Sequence, residues 1–182
     1  MDDTPFEQLI NVMSYFRPNR IRTITEIIQK NPGILNQTDE SQATPLFYAT
    51  QGDPGIAELF LKNDADPNHK DDQGRTPLYS AVMNNEPEIC KVLLENSANP
   101  NIQDNQGKTP LHYACEFTNT NVVRLLLDNG AVPNIQDEQG KTPLHYATQG
   151  DPNIVRLLLK HGANPLIKDN SGNDPISIAT DQ

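Results

Sequence analysis

The sequence predicts an all-α solenoid, a one-dimensional stack of helix-turn-helix units joined by β-turn fingers. Thr-Pro-Leu stands at Thr44-Pro45-Leu46, Thr76-Pro77-Leu78, Thr109-Pro110-Leu111 and Thr142-Pro143-Leu144, and a degenerate copy follows at Asp174-Pro175-Ile176, with steps of 32, 33, 33 and 32 residues. Three further markers keep the same phase. They are an Asp (Asp39, Asp71, Asp104, Asp137, Asp169), a turn Gly (Gly74, Gly107, Gly140, Gly172) and an Asn three residues before the Asp (Asn36, Asn68, Asn101, Asn134). A fixed period of this length is the signature of a repeat architecture.

Each unit reads as a turn followed by two helices. Thr or Asp offers an oxygen to the free N–H groups of the first turn, and Pro follows at the first helical position, where its fixed φ suits a helix and its missing donor costs nothing. The inner helix therefore starts at Thr-Pro. It breaks at Gly52-Asp53-Pro54, Asn84-Asn85-Glu86-Pro87, Thr118-Asn119-Thr120-Asn121 and Gly150-Asp151-Pro152. The second helix then carries an i, i+3, i+4 apolar stripe: Ile56, Leu59 and Phe60; Ile89, Val92 and Leu93; Val122, Leu125 and Leu126; Ile154, Leu157 and Leu158. Gly130 and Gly162 stand where a helix ends in a left-handed residue, with Asp64 and Ser97 at the equivalent sites. Pro67, Pro100, Pro133 and Pro165 then bar continuation. One unit buries too few apolar side chains to offset the entropy of ordering it, so the units must share faces.

With these residues in place, the chain resembles the ankyrin repeat family. The family pattern of Asp, Gly, Thr-Pro-Leu-His, Ala, a Leu-Leu-Leu helix and Gly-Ala is nearly reproduced over 104–136 and again over 137–168. The boundaries expected are an N-terminal capping repeat at 1–38, repeats at 39–70, 71–103, 104–136 and 137–168, and a C-terminal half-repeat cap at 169–182. In the first segment Phe6, Leu9, Ile10 and Met13 mark one amphipathic helix and Ile21, Ile24, Ile27 and Ile28 a second, while Asn31-Pro32-Gly33-Ile34-Leu35-Asn36 resembles the repeat exit. Ser177, Thr180 and Asp181 interrupt the apolar face of the last unit, as a cap requires.

Composition narrows the function. Fourteen Lys+Arg against twenty-four Asp+Glu leave a formal charge of −10, which disfavours a phosphate backbone or an anionic membrane as partner. No apolar run approaches the roughly 20 residues of a membrane span, and Met1-Asp2-Asp3 is acidic where a signal peptide is basic. A cytoplasmic location is expected. Cys90 and Cys115 are isolated and read as small buried core residues.

No catalytic, metal or cofactor site is expected. Gly-rich phosphate loops, Gly-x-Ser-x-Gly and His-Glu-x-x-His are all missing from the sequence. His69, His112, His145 and His161 pair with no Cys or carboxylate at a metal-like spacing. For His112 and His145 the resemblance implies a structural hydrogen bond between neighbouring loops. The recurrent Asp residues are expected to form turns and to hydrogen-bond the backbone of the adjacent finger.

The resemblance further implies a protein or peptide ligand held on a concave surface of fingers and inner helices, by residues that differ between repeats. In the fingers these are Glu40, Ser41 and Ala43; Asp72, Gln73 and Arg75; Asn105, Gln106 and Lys108; Glu138, Gln139 and Lys141. On the inner helices a row runs Tyr48, Ser80, Tyr113, Tyr146 and Ile178, aromatic with one gap, which either binds or packs between helices. Met83 and Phe117, at inner-helix ends, are natural anchors if exposed, or tuck inward if the longer turn beside them allows it. The partner-binding set is thus Tyr48, Asp72, Arg75, Met83, Asn105, Lys108, Tyr113, Phe117, Lys141 and Tyr146. Charge by segment is 0 over 1–38, −4 over 39–70, −3 over 71–103, −1 over 104–136, +1 over 137–168 and −3 over 169–182. A partner touching the first two repeats is expected to be basic there.

The chain is expected to be a monomeric, non-enzymatic scaffold acting by rigid display. Two other readings remain open: the targeting portion of a larger enzyme or of a bacterial host-directed effector, and a self-assembling structural protein.

Overall fold

A computed structural model describes residues 3–14, 19–117 and 119–180, with the backbone alone described for 178–180. Thr118, Asp181 and the side chains of Ile178 and Thr180, invoked above, lie outside the described residues. The elements are helices α1 (Pro5–Ser14) and α2 (Arg20–Lys30), a 3-10 turn (Ile34–Asn36), four helix pairs, and a last helix α11 (Pro175–Thr180). The pairs are α3 (Pro45–Ala49) with α4 (Pro54–Leu61), α5 (Pro77–Met83) with α6 (Pro87–Glu95), α7 (Pro110–Glu116) with α8 (Thr120–Asp128), and α9 (Pro143–Ala147) with α10 (Pro152–Lys160). Among the described residues there is no strand.

The helices start as the caps dictate. Asp53 and Asp151 accept from Gly55 N and Asn153 N at 2.9 Å with Pro next in line. In the third pair the helix begins earlier than the sequence suggests. Asn119 Oδ1 accepts from Val122 N at 3.1 Å, so Thr120 and Asn121 fall inside α8 rather than in the break. Asp64, Ser97, Gly130 and Gly162 all end outer helices at positive φ, at 64°, 69°, 86° and 85°.

Inner helices α1, α3, α5, α7, α9 and α11 pack on one another in chain order, as do outer helices α4, α6, α8 and α10. The core is one continuous layer between the two rows, holding Leu46, Leu78, Leu111 and Leu144 of the Thr-Pro-Leu motifs and Phe60, Leu93, Leu126 and Leu158 of the outer helices. Burying a side chain of this size contributes about 1.5 to 3 kcal/mol. Cys90 and Cys115 are part of this core, and burial pushes both thiols up, Cys90 to about 12, so both stay protonated.

Two stitches repeat along the stack. At the helix exits the in-phase Asn reaches across to the next unit with both ends of its amide. Asn101 Nδ2 donates to Gly130 O at 3.0 Å and its Oδ1 accepts from Val132 N at 2.8 Å. Asn36, Asn68 and Asn134 repeat the pair of bonds. At the fingers, Asp72 N, Asn105 N, Glu138 N and Asn170 N donate to Ser41 O, Gln73 O, Gln106 O and Gln139 O at 2.9–3.0 Å.

The phased Asp residues form the turns as expected but do not bond the backbone of the adjacent finger. Asp39, Asp71, Asp104, Asp137 and Asp169 each accept at Oδ1 from the N–H groups two and four residues ahead, within their own finger. Main chain, not these carboxylates, links finger to finger. The fingers approach so closely that a Cβ on Gly107 would stand 2.8 Å from Glu138 N, with φ at +73° besides. Glycine is required there on both counts.

Candidate partner-binding face

Three fingers lie against their inner helices through a row tyrosine. Tyr113 Oη donates to Asp104 Oδ2 and Tyr146 Oη to Asp137 Oδ2, both at 2.6 Å, and Tyr48 donates likewise to Asp39. The carboxylate bond raises the Tyr48 hydroxyl to about 12, while burial followed by the Asp bond raises those of Tyr113 and Tyr146. The second unit has Ser80 in the row, and its finger Asp is served differently. Arg75 Nε and Nη2 reach Asp71 Oδ2 at 2.7 and 2.6 Å.

Of the ten residues read as partner-binding, several are committed inside the molecule. Tyr113 is only 8% exposed and Tyr146 is half-buried, so the row packs between fingers and helices more than it faces outward. Lys108 pairs with Glu116 at 2.9 Å and lies 4.9 and 4.6 Å from the Tyr113 and Tyr146 ring centroids. Its side chain is 13% exposed, with the ammonium held against both rings and Glu116. Lys141 sits half-buried 5.7 Å over Tyr146, and Asn105 Nδ2 donates to Asp72 O at 3.0 Å. Asp72 is exposed.

Tyr48, Met83 and Phe117 are the outward-facing large apolar and aromatic members, at 38%, 40% and 56% exposure. The longer turn leaves Met83 and Phe117 outside. They rim a groove of about 580 Å³ whose walls include Val82, Pro87, Ala114 and Asn121. Across it Asn119 Nδ2 donates to Asn85 Oδ1, tying the turns of neighbouring units together. A second groove of about 380 Å³ lies between the first two fingers and inner helices, over Ala43, Phe47, Tyr48, Ser80 and Met83. Met83 belongs to both, so Tyr48, Met83 and Phe117 are brought into one tract while Lys141 and Tyr146 lie further along the stack.

The histidines of the Thr-Pro-Leu-His motifs hold neighbouring units together, as the resemblance implies. His112 Nδ1 accepts from Thr109 N at 3.0 Å, which leaves Nε2 to donate to Lys141 O at 3.2 Å. His145 repeats this with Thr142 N and Asn173 O. Burial, with a smaller contribution from Lys108, lowers His112 to about 4, so it stays neutral. In the first unit Phe47 replaces His, and the buried Thr44 Oγ1 has no hydrogen-bond partner among the described residues. Sequence reading missed this orphan, whose signal was the Phe in the His register. Among the described residues no three His, Cys, Asp or Glu side chains gather closely enough to hold a metal ion, and no helix is long and apolar enough to cross a membrane.

Comparison with known proteins fits this geometry. A family model described as ankyrin repeats (3 copies) matches residues 12–104 and again 96–169. A stretch of 73 residues is 34% identical to alpha-latrocrustotoxin-Lt1a of Latrodectus tredecimguttatus, covering 40% of this chain and 5% of that protein. The chain thus spans a small fraction of that relative's length.

Proposed function

Since this chain belongs to the ankyrin repeat family, whose repeats mark a protein-interaction module, we propose that it binds a protein or peptide on the tract running from Tyr48 through Met83 to Phe117. The observation that carries the reading is that Met83 and Phe117, both exposed, share the rim of one groove. An exposed aromatic beside a flexible thioether is the usual chemistry of a binding anchor. The module acts without catalysis, as a rigid cytoplasmic monomer, with no nucleic acid or membrane partner. Its units are bounded at 1–38, 39–70, 71–103, 104–136, 137–168 and 169–182.

The test is comparative capture. Wild-type protein and a Met83→Ser, Phe117→Ala variant are immobilised at equal density and exposed to the same lysates, with bound proteins quantified by mass spectrometry. We expect a discrete set of proteins to fall at least tenfold with the variant, while its thermal midpoint moves by less than about 2 °C, as for surface changes of under about 0.5 kcal/mol. An unchanged set would remove this tract from consideration. Charge reversal of Lys108 is no test of binding, because it would break the Glu116 pair and the ring contacts.

A second reading, the recognition portion of a much longer chain, draws support from the relative, of which the match covers 5%. Sequencing the complete reading frame decides it. Self-assembly is tested by sedimentation across a hundredfold concentration range, where a constant monomer mass excludes it.

A further inference from the structure

Side-chain rings repeat one contact at the two junctions that join the second, third and fourth units, and a cation joins it at the later of the two. The ring at the third inner-helix position of a unit meets the row tyrosine of the next unit edge to face. Tyr79 meets Tyr113 at 4.7 Å and 87°, and His112 meets Tyr146 at 5.9 Å and 81°. Where the third and fourth units meet, Lys108, four residues after the finger Asp, lies between its own row tyrosine and the next one. Between the first and second units the corresponding residues are Phe47, Ala43 and Ser80. Phe47 therefore has no row tyrosine to meet and takes His69 edge-on at 6.4 Å. Both the tyrosine and the cation are missing at the same junction, and a groove of about 380 Å³ opens there.

We propose that this junction is a socket for one tyrosine side chain of a partner segment, with a neighbouring Lys or Arg of that segment occupying the place Lys108 fills further along. The partner supplies in trans what the third and fourth units hold in cis. The inference rests on reading this face as the binding face and gives the partner its chemistry. Phe47 and Tyr48 supply aromatic walls, Ala43 and Ser80 the space, and Tyr79 and Arg75 complete the lining, with Asp39 bonded to Tyr48 and Asp71 to Arg75 at its edge. Charge agrees: segments 39–70 and 71–103 carry −4 and −3, so cations flanking the tyrosine approach a complementary field. A tyrosine suits such a site because it brings a rigid apolar area together with a polar tip.

The experiment titrates isotope-labelled protein with the synthetic peptide acetyl-Arg-Tyr-Arg-amide and follows backbone amide shifts. Acetyl-Arg-Ala-Arg-amide and acetyl-Glu-Tyr-Glu-amide serve as controls. Saturable shifts centred on Ala43, Ser80 and Met83 are expected with the first peptide, and at least tenfold weaker binding with each control. Ser80→Tyr should fill the socket from within, reducing binding at least tenfold without lowering the thermal midpoint. A Ser80→Tyr chain that does not fold overturns the proposal, because a hole that rejects an in-register tyrosine does not have a tyrosine's shape. Ala43→Lys should weaken the Arg-Tyr-Arg peptide and leave the Glu-Tyr-Glu peptide unaffected or improved. Equal binding of the Tyr and Ala peptides, or shifts centred elsewhere, also sinks it. Should the socket fail while Met83→Ser, Phe117→Ala still loses its captured proteins, the binding face stands and the socket alone is wrong.

Discussion

The units around α3 to α6 and those around α7 to α10 share one backbone plan and differ in how completely they satisfy themselves. In the later pair, His112 and His145 tie Thr109 and Thr142 to the next finger, Tyr113 and Tyr146 close on their Asp residues, and Gly occupies every left-handed turn position among the described residues. In the earlier pair, Phe47 leaves Thr44 Oγ1 unpartnered, Gln42 takes φ = 61° where Gly74, Gly107 and Gly140 stand elsewhere, Asp64 and Ser97 replace the helix-end glycines, and Ser80 interrupts the row. Local rules broken without compensation in the fold are expected where a protein keeps a surface for something else. The later pair closes more fully on itself, and the proposed binding tract starts in the earlier pair at Tyr48 and Met83 and reaches the later pair at Phe117.

The sharpest way to break this contrast is to remove the histidine tie. His112→Phe leaves Thr109 N without its partner and takes from Lys141 O one of its two donors, the other being Asp137 N at 2.9 Å, and should destabilise the chain by about 1 to 3 kcal/mol, read as a drop in denaturant midpoint. A cost below about 1 kcal/mol would mean that the tie is ornamental.

The same residue gives a pH dependence. His112 titrates near 4 in the folded chain against an ordinary 6.5, so between these values the unfolded chain binds the extra proton. Its contribution is fully present above pH 6.5 and declines as pH falls through 4, by about 3 kcal/mol at about 1.4 kcal/mol per pH unit. The gap between wild type and His112→Phe should therefore narrow over that window. A gap that stays constant would place the histidine in a wetter environment than the fold provides.

A matched pair of substitutions asks whether the halves respond with opposite sign. Thr44→Val deletes a buried hydroxyl that has no partner and should stabilise by about 1 kcal/mol, whereas Thr109→Val, at a hydroxyl 2.9 Å from His112 Nδ1, should cost about 1 kcal/mol or more. Equal effects on the two thermal midpoints would erase the distinction. The smallest expected effect comes from Gln42→Gly, which relieves one left-handed residue and should add about 1 kcal/mol or less.

Much of the fold could be read from Thr-Pro-Leu, because a cap, a fixed φ and an apolar anchor act within a few residues and recur in phase. The start of α8 was misplaced because Thr120 and Asn121 look like turn formers, and only the cap from Asn119 turns them into helix. The site was less legible. Tyr113 and Lys108 have the chemistry of binding residues, and their commitment to Asp104 and Glu116 depends on side chains brought together across nine and eight positions. Met83 and Phe117 were visible as anomalies, because an apolar residue at an inner-helix end has no core to enter. Ser80 was visible as a gap, but its meaning needed the facing Ala43.

The stitches carry a last consequence, for how such a chain can change in length. Every asparagine bridge and every finger link joins a position in one unit to a matching position in the next. Gain or loss of a whole unit leaves each partner facing an equivalent one, whereas a single-residue insertion shifts all later matches unless a turn absorbs it. The units of 32 and 33 residues differ at the turn between paired helices, Gly52-Asp53 against Asn84-Asn85-Glu86, which lies outside the finger links and the helix-exit bridges and is joined to its neighbour through Asn119 and Asn85. Length is thus quantised by the stack, with that one turn as the slack, and the slack is where Met83 and Phe117 emerged.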